Sequence, residues 1–196
     1  MLREGFMQRM MTGLLIFSLV MGAQPVLGQD NPACRKSVEP NAAIEACSKV
    51  IQSGTGEAQR AALLVRGDAY NRKGMNAEAV ADFSAVLGAA PKNKDALTGR
   101  AEAHLAQRNF DRAMADFSAL IGEAPQNVAA LIGLGYAHLA KGEDELAVES
   151  FSRALAVDAN NGVALNNRGL AYKKLGNLNL AIRDFTSAVQ FHPLYA

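Results

Sequence analysis

The chain has 196 residues, 49% of them hydrophobic, with 20 Lys and Arg against 19 Asp and Glu. A formal charge of +1 and no block of like charges argue against an electrostatic hold on nucleic acid or anionic lipid. Ala is prominent, β-branched runs are scarce and Trp is absent, so the composition leans to helix.

The first segment reads differently from the rest. Arg3 and Arg9 precede the uncharged stretch "MTGLLIFSLVMGA", from Met11 to Ala23, which is followed by Gln24, Pro25 and the small-residue site "VLGQD". A basic start, a short apolar core and a small residue before the cut mark a secretory signal peptide at 1–28, cut after Gly28, with Ala23 as the second choice. The apolar run is short of the roughly 20 residues that a membrane span requires. Retention as an inner-membrane anchor is the alternative. Cleavage removes two Arg and one Glu, leaving 18 basic and 18 acidic residues. The reading places the protein in the periplasm or outside the cell. In such an oxidising compartment the two cysteines, Cys34 and Cys47, pair with each other, because no other Cys competes. Two free thiols in a reduced protein are the alternative. The spacing does not suit a Cys-x-x-Cys redox site, and no His lies nearby to complete a metal site.

Beyond the cysteines one pattern recurs. Phe83, Phe117, Phe151 and Phe185 follow one another at a spacing of 34; so do Ala79, Ala113, Ala147 and Ala181, and Leu63, Leu97, Leu131 and Leu165. This period predicts a helix–turn–helix repeat. Leu63, Gly67 and Tyr70 mark one face of a first helix, and Ala79, Phe83 and Val86 mark one face of a second. Gly74, Gly142 and Gly176 fall between the two helices, where a left-handed residue ends a helix. Asn76, Asn109 and Asn177 fall near the start of the second helix and are expected to cap it. Pro91, Pro125 and Pro193 close three copies. Small residues at Gly67, Ala101, Gly135 and Gly169 let the helices approach, and the Phe column fills the space between pairs.

On these residues the chain resembles the tetratricopeptide repeat; the first copy carries Leu63, Gly67, Tyr70, Ala79, Phe83 and Pro91. It departs in lacking a Trp and in having Ala101 for Gly, and His104 and His138 for Tyr. The resemblance covers about two-thirds of the chain. It implies an all-α fold, a right-handed α-solenoid of stacked antiparallel helix pairs. Four units then span 60–93, 94–127, 128–161 and 162–195, after an N-terminal half-repeat at 29–59. In that half-repeat "AAIEACSKVIQSG" supplies an orphan second helix, with Ala43, Cys47 and Val50 in the places of Ala79, Phe83 and Val86. The whole beginning looks like exported repeat proteins of Gram-negative bacteria, and a Cys34–Cys47 bridge would fasten the mature N-terminus onto this helix as a cap. The fourth unit ends at Tyr195 without the polar final helix that the family commonly adds. Ile182, Phe185 and Val189 are therefore expected to be partly bare and to serve a homodimer or partner contact.

In this family the first helices line a concave face that grips extended peptides. The resemblance carries that role to Leu64, Asp68 and Arg72; to Thr98, Glu102 and Leu105; to Ile132, Tyr136 and Leu139; and to Asn166, Leu170 and Lys173. The resulting groove is acidic at its start, apolar in the middle and basic at its end. It suits a peptide with an apolar anchor and a basic residue nearer the array's start, with Tyr136 as the leading anchor. The Lys, Asn and Arg pattern that binds acidic peptide C-termini is not met, since Leu64, Asp68 and Glu102 stand there.

Catalysis is not expected, and neither is a cofactor or a metal. His104 and His138 share a column read as packing, with no third ligand apparent. His192 has no obvious partner. "RGD" at 66–68 lies within a predicted helix, where its side chains cannot share one loop tip. Glu143, Asp144 and Glu145 open a helix, where acids favour its dipole. The reading is an exported adaptor for a protein or peptide partner. Its alternative is a structural subunit of an envelope complex, anchored by its leader or self-associating through its last helix.

Overall fold

The computed structural model describes residues 34–36 and 39–191. The expected leader at 1–28, as well as His192, Pro193 and Tyr195, lies outside the described residues. The described residues form helices α1 (Pro40–Ser53), α2 (Gly56–Arg72), α3 (Asn76–Ala89), α4 (Lys94–Ala106), α5 (Phe110–Glu123), α6 (Val128–Lys141), α7 (Asp144–Val157), α8 (Gly162–Lys174) and α9 (Leu178–Phe191). Each helix packs on its neighbours in the chain, which makes an all-α solenoid of antiparallel pairs preceded by the single helix α1.

The turn residues explain the punctuation. Gly74, Gly142 and Gly176 have φ of 72°, 82° and 78°, the left-handed conformation expected of them. At the equivalent position the second pair has Arg108, also left-handed at φ 60°. The next amide closes each turn by donating back to the carbonyl five residues earlier, from Met75 to Tyr70, Asn109 to His104, Glu143 to His138 and Asn177 to Tyr172. The expected caps are corrected by the structure. Side-chain caps form on the first helices, where Asn93, Asn127 and Asn161 accept from the amides of Ala96, Ala130 and Ala164 at 2.9, 3.1 and 3.0 Å. Asn109 makes no such bond; its ψ of 64° departs from the extended backbone of those three caps, and its amide donates to Gln107 instead. Asn76 lies inside α3, after Met75.

The periodic columns form the core. Ala79, Ala113, Ala147 and Ala181 are buried, as are Phe83, Phe117 and Phe151. Phe185, on the last pair, is half-buried. Close approach is set by glycine: a Cβ on Gly67 or Gly99 would come within 2.9 or 2.3 Å of the Phe83 ring. Phe117 is covered in the same way by Gly133, Phe151 by Gly135 and Phe185 by Gly169. At the N-terminal end Cys47 takes the Phe place, fully buried with Val50 and Ala62. It is joined to Cys34 by a disulfide with a Cα–Cα separation of 4.8 Å.

Curvature follows from which helices touch. Among the described residues α2 meets α4, α4 meets α6 and α6 meets α8, whereas successive second helices do not meet. The row of first helices is therefore the inner, concave side. Among the described residues no helix is long and apolar enough to cross a membrane.

Candidate functional site

The concave side carries two adjoining cavities. The larger, about 410 Å³, lies across α4, α6 and α8. Leu105, Ile132, Tyr136 and Val163 supply its apolar wall, while Asn161 and Asn167 bound the far side. Gly133 forms the floor, with Phe117 and Leu120 beneath. That glycine has two effects: it admits the Phe117 ring, and by lacking a side chain it leaves the hollow open. Tyr136 is 47% exposed, so its ring is available from solvent.

The second cavity, about 240 Å³, lies between α2 and α4 over Gly99 and Phe83. Asp68, Asp95 and Glu102 line it together with Leu64, Thr98 and Lys36. Thr98 and Glu102 belong to both cavities, so the acidic and apolar hollows are continuous. Burial and the neighbouring Asp68 push the Glu102 carboxyl above the ordinary range, and Lys36 partly offsets this. Asp68 also meets Arg72 at 3.3 Å.

Of the residues expected in the groove, the structure brings together Leu64, Asp68, Thr98, Glu102, Leu105, Ile132 and Tyr136. Leu139 is instead buried against Ala147, Phe151 and Ala171, because its turn of α6 points into the pair. Arg72, Asn166, Leu170 and Lys173 do not line either hollow; α8 contributes Val163 and Asn167. The sequence reading missed Asp95, Val163, Asn167 and Lys36, along with the floor column of Gly99 and Gly133, whose spacing of 34 was there to be read.

The remaining candidates have ordinary partners. The "RGD" side chains diverge: Arg66 turns to Asp82, Gly67 faces Phe83 and Asp68 faces the groove. His138 Nδ1 lies 2.6 Å from Glu143 Oε2. His104 is buried, and its Nδ1 has no hydrogen-bond partner among the described residues. Among the described residues no three His, Cys, Asp or Glu side chains cluster as a metal site. On α9, Ile182 is 63% exposed and Leu178, Val189 and Phe191 are also exposed, whereas Phe185 is turned inward over Gly169.

Three family models described as tetratricopeptide repeat match residues 71–115, 98–164 and 162–194, and together they span α3 to α9 with the last two residues of α2. The chain is a tetratricopeptide repeat protein. Its fold is shared by a crystal structure of MamA at 20% identity and a TM-score of 0.72, covering 79% of this chain and 89% of that one. It is shared also by MamA from residue 41 onward of Desulfovibrio magneticus RS-1, at 19% identity and a TM-score of 0.74, covering 82% and 89%. A third, MamA AMB-1, gives 21% identity and a TM-score of 0.67, covering 81% and 92%. Such distant likeness concerns the fold. No curated protein sequence matches the chain. Tetratricopeptide repeats serve protein interaction, so the two continuous hollows on the concave side are the natural place to look for it.

Proposed function

We propose that this tetratricopeptide protein is an exported, non-catalytic adaptor that holds an extended peptide or partner helix in its groove. The observation that carries the reading is the continuity of an apolar hollow around Tyr136 with an acidic one at Asp68, Asp95 and Glu102. A ligand with an apolar side chain near Tyr136 and a Lys or Arg towards α2 satisfies both. A preformed groove keeps the ordering cost low. The Cys34–Cys47 bridge and the leader reading support an oxidising compartment such as the periplasm.

The bare α9 face, with Leu178 and Ile182 more than half exposed, supports a second reading as a self-associating structural subunit. One experiment separates the two: crosslinking in the cell envelope with identification of captured partners, for wild type, Tyr136→Ala and Ile182→Asp. Loss of the partner with Tyr136→Ala alone supports the groove. Loss with Ile182→Asp alone moves the function to α9. Ile182 is a better probe than Phe185, whose ring packs within the fold.

A further inference from the structure

Lys36 lines the acidic cavity although it belongs to the segment that precedes α1. It lies along the chain between two fixed points. Two residues before it, Cys34 is bonded to Cys47, which is fully buried. Three residues after it, the Glu39 carboxylate accepts from the amides of Asn41 and Ala42 at 3.0 and 3.2 Å and caps α1. A strand of two residues reaches at most about 7 Å, so Lys36 stays close to the bridged Cys34. Among the described residues no other cation lines that cavity, whose lining includes Asp68, Asp95 and Glu102, and both Asp68 and Lys36 act on the Glu102 carboxyl. Arg72 contacts Asp68 from outside the cavity lining.

We propose that Lys36 is the resident ligand of the acidic end of the groove, held there by the Cys34–Cys47 disulfide, and that it competes with the Lys or Arg side chain of an incoming segment. The proposal rests on the groove reading above and adds its control. Lys36 neutralises the acidic end in the free protein, so that end gains less from a cation than its three carboxylates would otherwise provide. The adjoining apolar hollow is untouched by Lys36. The lysine therefore screens cation-bearing ligands and leaves purely apolar ones alone. Opening the disulfide releases one of the two pins and weakens the competitor.

Two measurements on the full, oxidised chain test this. In the first, a carbodiimide couples lysine amines to carboxylates in contact, and the products are mapped by mass spectrometry. A Lys36 link to Asp68, Asp95 or Glu102 is expected, and it should fade in the Cys34→Ser, Cys47→Ser variant. The second uses two fluorescein-labelled heptapeptides, Gly-Ser-Phe-Ser-Lys-Ser-Gly and the same peptide with norleucine for Lys. Lys36→Ala should tighten the Lys peptide about two- to fivefold, the range of one solvent-facing ion pair, and leave the norleucine peptide unchanged. Lys36→Arg should behave as wild type in binding. Unchanged Lys-peptide affinity in Lys36→Ala, with Tyr136→Ala still weakening both peptides, overturns the proposal and leaves the groove reading standing. Affinity insensitive to Tyr136→Ala defeats the groove reading instead. Absence of every Lys36 crosslink overturns the proposal independently of any peptide.

Discussion

Arg100 on α4 grips Asp116 on α5 with two hydrogen bonds, Nε to Oδ2 at 2.9 Å and Nη2 to Oδ1 at 2.7 Å, while its Nη1 donates to Ser84 on α3 at 3.2 Å. One guanidinium thus joins a helix pair internally and to the pair before it. The same device recurs as Arg66 with Asp82 and Ser48, and as Arg168 with Asp184 and Ser152. In the third pair Leu134 and Ser150 occupy the equivalent positions. Asp82, Asp116 and Asp184 are buried, so removing one partner strands a charge. Asp116→Ala should cost about 2–4 kcal/mol, below the upper range for buried pairs because Arg100 keeps some solvent. Replacing both partners together, Arg100→Leu with Asp116→Ser, should cost less than Asp116→Ala alone, since it copies the third pair. Urea melts of wild type and the two variants decide it; a double variant weaker than the single would contradict the argument.

The glycines sort by what lies over them. Gly99 and Gly133 face Phe rings at 2.3 Å from a built Cβ, so Gly99→Ala or Gly133→Ala should destabilise by about 1–3 kcal/mol through overpacking. Among the described residues, no atom outside the surrounding helix backbone lies within 4 Å of where a Cβ would stand on Gly88 in α3 or Gly122 in α5. Alanine there should stabilise by about 0.5–1 kcal/mol, the ordinary helix preference. Thermal melts of the four variants should show opposite signs for the two classes.

Arg108 holds a left-handed conformation where the other pairs have glycine. A side chain in that region costs about 1–2 kcal/mol. Arg108→Gly should therefore raise stability by about 1 kcal/mol, less the added freedom that glycine gives the unfolded chain. A denaturant midpoint that falls would show that the Arg108 side chain makes up for its backbone.

His104 confers a pH dependence. Burial holds its imidazole below the ordinary range, with Arg100 and Arg112 acting in the same direction and Asp116 and Gln107 opposing. On acidification the unfolded chain therefore takes up this proton before the folded one does. Its contribution is fully present above the unfolded value of about 6.5 and is lost as the pH falls from there towards the lowered folded value. Tyrosine fills the same column at Tyr70 and Tyr172, each beneath an Arg guanidinium at 5.7 and 5.8 Å from the ring centroid. His104→Tyr should thus be tolerated at pH 8. The stability difference between wild type and variant should shift in favour of the variant between about pH 7 and 5. A difference that stays constant over that window would mean that His104 does not titrate there.

The sequence by itself determined the helix pairs of this protein. Phe, Ala and Leu columns at a spacing of 34 demand that the same helices be buried in the same way in every unit, and glycine at the turns has a conformation few other residues share. The resemblance those columns carry also named Tyr136, Glu102 and Asp68 as groove residues, because the first helix of each unit keeps one facing from copy to copy. The tertiary structure decided what periodicity within a helix cannot. Leu139 turns into the core while Val163 and Asn167 turn out to the hollow, because those choices depend on the angle at which α6 and α8 pack. The Arg–Asp pairs, 16 residues apart, repeat in the sequence as plain letters; only the meeting of two helices makes them partners. Lys36 lines the acidic cavity two residues after the bridged Cys34, and separation along the chain carries no trace of that approach.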